Sequence, residues 1–210
     1  MSILDDWKEF KKYRESVRNA LYGPSDPLSE AETEKVMSGA TECFPIKAEE
    51  NELFAVLFRN PEGRVNEFDD QFLLMQNQKG TSVLIDSWPI TTDPGLYWME
   101  HPMNPKGCAI MVPGVYEYKL GLHRGKRAFV QAGPVKVYRD NNKDKIHDHD
   151  PKSIDEGYHA INIHGPHLWE AENVDRDSGG CMVFKRQEDI TRCIWFFDHF
   201  EQTNLTIILS

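Results

Sequence analysis

A mainly β domain carrying one late helix, preceded by a helical N-terminal segment, is the fold class that this sequence predicts. Three observations predict it. Short β-prone runs separated by Pro, Gly and Asn fill the chain from about residue 51, one amphipathic stretch lies near the C-terminus, and helical periodicity marks the N-terminus. At 210 residues, with 40% hydrophobic and 11% aromatic residues, the chain has enough apolar surface to offset the entropy of ordering it.

The elements follow in order. Trp7, Phe10, Tyr13, Val17 and Leu21 recur at steps of three or four, a single apolar stripe that ends before Gly23 and Pro24. Ser29 followed by Glu32 has the form of a capping box and starts a second helix. These two helices make up a segment 1–50, and a β-rich domain occupies 51–210. Its strands are read over 54–58, 81–85, 108–112, 129–132, 134–138 and 158–164, each a short run of β-branched or aromatic residues bounded by turn residues. In the last of these, Ile161 and Ile163 share one face, and Ala160, Asn162 and His164 share the other. Ile190, Cys193, Ile194 and Phe197 follow helical spacing, and 205–209 forms a closing strand.

Charge and cysteine usage exclude several functions. The formal charge of −10 repels a phosphate backbone, so nucleic acid is not an expected partner. Cys43, Cys108, Cys181 and Cys193 form no CxxC pair and show no regular spacing, so they read as separate thiols. The first residues are acidic where a signal peptide needs basic ones, and no stretch reaches the length of a membrane span. Synthesis in a cytoplasm is the expectation, with delivery to a cell wall or virion by some other route.

The chemistry is concentrated between residues 161 and 181. A thiol is a weak nucleophile until it loses its proton, so a catalytic cysteine requires a nearby base and pre-aimed amides for the oxyanion. His164 at a strand end supplies a base, with His167 as its rival. Gly179 and Gly180 before Cys181 allow a tight turn and close approach of the backbone to a substrate.

His164-Gly165, Trp169 and Ser178-Gly179-Gly180-Cys181, with sixteen residues between the histidine and the cysteine, resemble the catalytic core of the L,D-transpeptidases that act on bacterial peptidoglycan. The run from Trp88 through Gly95 to Tyr97 and Trp98 is similar to that family's turn before an aromatic strand, and the 193–200 helix and 205–209 strand are similar to its closing elements. The resemblance covers about 51–210 and implies an L,D-transpeptidase-like β-sandwich or barrel. It implies that Cys181 forms an acyl-enzyme with a peptidoglycan stem peptide, that His164 moves the proton, and that the Gly165 carbonyl orients the imidazole. The amides of Gly180 and Cys181 would hold the oxyanion, and Ser178, Trp169, Tyr97 and Trp98 would contact substrate.

Transfer to an amine or to water would make the enzyme a transpeptidase, a carboxypeptidase or an endopeptidase. No cofactor is implied. Two positions depart from the family pattern: Gly179 stands where His is frequent, and Val183 where Arg or Asn is frequent. A start without a secretion signal, as expected from the acidic first residues, and the expected N-terminal helices are similar to phage-encoded versions.

Other readings stand beside this one. The chain could keep the fold without catalysis, as a cell-wall-binding or virion protein. Asp140, Asn142, Asp144 and Asp148 occupy positions 1, 3, 5 and 9 of a calcium-type loop, but Lys145 and Pro151 replace its glycine and its bidentate glutamate. A solvated turn is the better reading. His147 and His149 could supply two ligands of a zinc site, although no HExxH is present.

Overall fold

A computed structural model of the chain describes residues 48–210, so the helices expected over 1–47, and Cys43, lie outside the described residues. The described residues contain eleven strands: β1 (Leu53–Phe58), β2 (Asp70–Gln78), β3 (Thr81–Thr91), β4 (Cys108–Met111), β5 (Gly114–His123), β6 (Lys126–Gln131), β7 (Val135–Asp140), β8 (Asp155–Gly157), β9 (Ile163–His164), β10 (Met182–Phe184) and β11 (Asn204–Leu209). A five-residue helix α1 (Leu96–Glu100) and a longer, late helix α2 (Gln187–His199) accompany them. The protein is thus mainly β with one late helix.

Eight strands close into a barrel in the order β1, β11, β5, β6, β9, β10, β3, β2, and β4, β7 and β8 form a separate three-stranded sheet. Closure removes free edges and leaves inward-facing residues to fill the interior. In β1 the two faces have different fates. Leu53, Ala55 and Leu57 enter the main core, while Phe54 and Val56 join Leu73, Met75 and Ile208 in a second apolar cluster. Period-two geometry with both faces covered explains why this strand reads as a continuous apolar run.

Helix α2 owes its place to the predicted stripe. Ile190, Cys193, Ile194 and Phe197 are buried in the main core, with Glu188 and Asp189 in the first turn and His199 in the last, in keeping with the helix dipole. Phe197 packs edge-on against Phe129 of β6 with centroids 4.8 Å apart. The helix therefore covers the strands that carry the candidate site.

Two local expectations are corrected. Of the strand expected over 158–164, only Ile163 and His164 pair as β9. Ala160 takes a left-handed φ of 57°, and the Gln131 side-chain oxygen accepts the amides of His159 and Ile161, which turns the backbone away from a ladder. The aromatic strand expected after Gly95 is the short helix α1. Its first turn closes on the Gly95 carbonyl, which accepts from Trp98 and Met99, and Asn66 Oδ1 accepts the Leu96 amide. Strands β2, β5, β8 and β10 were not among the expected runs.

Candidate functional site

Strands β9 and β10 run parallel, with Ile163 opposite Met182 and His164 opposite Val183. The Met182 amide donates to the Asn162 carbonyl at 2.9 Å, which sets Cys181 beside Asn162 one step before the ladder. The polar face of the 160–164 segment and the cysteine thereby meet at one mouth of the barrel. Cys181 is half-buried, its sulfur 3.5 Å from the Asn162 amide nitrogen and 3.5 Å from the Ala160 carbonyl oxygen. An amide donor and a carbonyl acceptor thus bracket the thiol.

His164 is 7% exposed, and its Nδ1 lies 2.7 Å from the Gly165 carbonyl. A carbonyl only accepts, so the proton sits on Nδ1 and the lone pair on Nε2. That Nε2 is buried and makes no hydrogen bond. Burial is the main cause that pushes the imidazole down to about 4; the bond to Gly165 opposes it, while His123, Arg124 and Lys126 add to it. Burial likewise pushes the Cys181 thiol up, against the Asn162 amide and the charge of Arg124. Both groups are therefore neutral at rest near pH 7.

Two further residues complete this corner without any signal in the 161–181 segment. His123, at the end of β5, stacks on His164 with centroids 4.2 Å apart and planes 8° from parallel. Asn162 fixes it: the Asn162 Oδ1 accepts the Gln131 amide at 3.1 Å, so its Nδ2 is the donor that meets His123 Nδ1 at 3.0 Å. Tyr118, also on β5, is fully buried with no partner for its hydroxyl, which burial and the neighbouring Cys181 push above the usual phenol range. The alternation of β5, in which Tyr116 and Tyr118 are buried between exposed Val115, Glu117 and Lys119, is the sequence signal that could have placed it.

The loop before Cys181 is held by its own polar groups. Ser178 is fully buried; its hydroxyl donates to the Cys181 carbonyl at 2.6 Å and accepts the Gly180 amide at 3.1 Å. Both bonds close the turn that leads into Cys181. The Gly180 amide is therefore engaged, whereas the Cys181 amide has no hydrogen bond among the described residues. Gly180 has a φ of 131°, and a Cβ there would lie 2.6 Å from the Ala109 carbonyl oxygen of β4. Only glycine fits that approach. At Gly179 the space is bounded by Met103 and Trp98.

Of the three aromatics expected at the substrate groove, Tyr97 and Trp98 pack edge-on against each other with ring centroids 5.0 Å apart. Trp98 donates its indole N–H to the Arg176 carbonyl at 3.0 Å and faces Gly179. Tyr97 carries the Arg176 guanidinium 3.8 Å above its ring and lines a hollow of about 720 Å³ with the 167–177 loop. Trp169 is 58% exposed. A smaller cavity of about 340 Å³ adjoins His164, with His123, Arg124, Lys126 and His167 on its wall. His167 is exposed, and its amide donates to Asp177 Oδ1 at 2.8 Å.

Among the described residues no group of three or more His, Cys, Asp or Glu side chains is placed to hold a metal ion. In the Asp140 loop, Asn142 Nδ2 donates to Asp144 at 3.0 Å and to Asp148 at 2.6 Å, and Asp140 Oδ2 accepts the Asp148 amide at 3.4 Å. His147 Nε2 lies 3.1 Å from the Pro94 carbonyl, and His159 bridges Arg139 and the Asp155 carbonyl. The other two described thiols are buried. Cys108 donates to the Trp98 carbonyl and is pushed up to about 11, and Cys193 sits inside the α2 core. No helix among the described residues is long and apolar enough to cross a membrane.

No protein-family model and no curated protein matches the chain. Among solved structures, it is similar to the crystal structure of a fused Zn-dependent amidase/peptidase/peptidoglycan-binding domain-containing protein from Clostridium acetobutylicum ATCC 824, with a TM-score of 0.39 and 8% identity. The alignment covers 89% of this chain, which spans 65% of that one. A likeness of this degree assigns neither family nor activity, and the functional reading rests on the residues of the site.

Proposed function

We propose that the chain is a cysteine acyl-transferase or peptidase acting on peptidoglycan stem peptides, of the L,D-transpeptidase type. The observation that carries this reading is the buried, unpartnered Nε2 of His164 on the strand beside Cys181, with the tautomer set by Gly165. A base held in this manner, with its lone pair free, is suited to take a thiol proton.

The reaction would begin from the neutral pair. The Cys181 S–H swings from the Ala160 carbonyl toward His164 Nε2 as the sulfur attacks the scissile carbonyl carbon, and the imidazole takes the proton. The Cys181 amide donates to the developing oxyanion. Collapse breaks the C–N bond, His164 returns the proton to the leaving amine, and a thioester remains on Cys181. An amine or a water molecule, deprotonated by His164, then releases the acyl group.

The test is incubation of the reduced protein with muropeptides followed by mass analysis. Loss of a C-terminal residue, exchange or stem cleavage is expected, and Cys181→Ala abolishes it. Unchanged muropeptides would remove the reading. A second reading, a non-catalytic wall-binding or virion protein, draws on the thiol's hydrogen bond to Ala160 and the absence of one to His164. It predicts sacculus binding without turnover, unaffected by Cys181→Ala.

A further inference from the structure

A base that takes a proton from a thiol needs its ring held in one plane as well as in one tautomer. The bond from His164 Nδ1 to the Gly165 carbonyl, 2.7 Å long, fixes one edge of the imidazole and leaves its flat faces to other groups. His123, at the end of β5, covers one of them: the ring centroids lie 4.2 Å apart and the planes are 8° from parallel. Tipping His164 out of its plane on that side would drive it into His123.

His123 is itself anchored. Asn162 Nδ2 donates to His123 Nδ1 at 3.0 Å, and Asn162 Oδ1 accepts the Gln131 amide of β6 at 3.1 Å. Nδ1 of His123 is thus an acceptor, and the proton of the neutral ring sits on Nε2. A second proton would set a donor against the Asn162 donor, and turning that amide over would strand the Gln131 N–H. The hydrogen-bond pattern therefore keeps His123 uncharged, and burial together with Arg124 works in the same direction. The main chain of Asn162 also reaches the nucleophile, its amide nitrogen 3.5 Å from the Cys181 sulfur. One residue thus sets both the cover of the base and the place of the thiol.

We propose that His123 is a positioning residue: stacked on His164 and kept neutral by Asn162, it holds the base in the plane where Nε2 can take the thiol proton, and it shuts water from that face of the ring. The proposal rests on the acyl-transfer reading and adds a residue to it. A neutral cover suits the reaction in a second way. When His164 takes the thiol proton, the imidazolium lies against an uncharged ring, whereas a charged His123 would repel it. Arg124 and Lys126 of the β5–β6 turn and His167 and Asp177 of the loop after β9 share the cavity wall with the two rings, and Cys181 stands just before the paired strand β10.

The test follows the rings and the turnover on the same samples. Full-length protein labelled with 15N in its histidine rings is titrated with acid as wild type, His123→Ala and His123→Phe, and the conversion of muropeptides is measured for each. Wild-type His164 is expected to show one tautomer, with the proton on Nδ1, and to titrate at about 4. In His123→Ala water reaches the ring, the tautomers mix and the titration moves back toward 6.5, while kcat falls roughly a hundredfold with KM within about twofold of wild type. His123→Phe restores a flat cover and is expected to recover the low titration, with kcat within about threefold of wild type. Asn162→Asp, which sets an acceptor against His123 Nδ1, is expected to move the His123 titration upward. A His164 tautomer and titration unchanged in His123→Ala, a His123 titration unmoved in Asn162→Asp, or an equal loss of kcat in the Ala and Phe variants would overturn the proposal. The ring signals need no substrate: the expected titrations without wild-type turnover remove the catalytic reading alone, and unmoved His164 signals with turnover intact remove the positioning role alone.

Discussion

The covered side of the barrel and its open mouth each hold a cysteine, and the two differ in what surrounds the sulfur. Under α2, Cys193 is fully buried in an apolar cluster that includes Ile190, Ile194 and Phe197, and burial drives its thiol well above the ordinary range. At the mouth, Cys181 is also pushed up by burial, yet an amide nitrogen, a carbonyl oxygen and the charge of Arg124 act on it, and an unpartnered imidazole occupies the next strand. Burial alone does not separate Cys193 from the proposed nucleophile. The difference lies in whether polar groups stand ready to receive its proton and the charge that follows.

The largest effect expected from this comparison is on turnover. Cys181→Ala removes the nucleophile and should lower muropeptide turnover by at least roughly a thousandfold. Cys193→Ala removes a packed sulfur, should cost on the order of 1 kcal/mol in denaturant unfolding, and should leave turnover intact. Loss of turnover in both variants at full stability would erase the distinction between the two regions.

The next effect is on pH dependence. Folded His164 titrates at about 4 instead of 6.5, so the neutral base persists, and the acid limb of kcat/KM should fall near pH 4. The same shift bears on stability. Between pH 6.5 and 4 the unfolded chain takes up a proton that folded His164 refuses, so stability from this group falls as pH drops through that window, by up to about 3 kcal/mol. Asp70, raised by burial to about 6, acts in the opposite sense, losing stability as pH rises from 3.8 toward 6. The contribution of His164 is therefore read as the difference between wild type and His164→Gln in unfolding free energy across pH. A flat difference would place the imidazole in water rather than in the wall of the site.

A smaller effect is expected in the loop. Gly180→Ala places a Cβ against the Ala109 carbonyl at a positive φ and should destabilise the fold by about 2 to 3 kcal/mol. Gly125→Ala, in the β5–β6 turn, meets open space and should cost less, about 1 kcal/mol, from its positive φ alone. Equal costs would show that the close approach to β4 does not matter.

Periodic elements were legible in the sequence. The apolar stripe of α2 and the runs of β1 and β11 announce themselves because each must bury a face. The candidate segment was marked by its histidine, two glycines and cysteine, and the parallel pairing of β9 with β10 brings the two ends of that segment side by side. What surrounds it was not legible. His123 and Arg124 come from a hairpin far upstream, and no local pattern indicates that their turn folds over His164. Nor does spacing show that Ser178 spends its hydroxyl on the turn, that Ala160 breaks the strand, or that α1 replaces a strand. Those outcomes depend on partners such as Gln131 and Asn66, which only the closed barrel brings into range.

The central claim, that Cys181 carries an acyl group delivered with the help of His164, is tested most directly by trapping the thioester. Wild-type protein is mixed with muropeptide at mildly acidic pH, quenched and digested, and its cysteine peptides are weighed. An adduct of one acyl fragment on Cys181 alone, released by hydroxylamine and lacking in His164→Gln, is the expected result. An adduct on another residue, or turnover with Cys181 unmodified throughout, would contradict it.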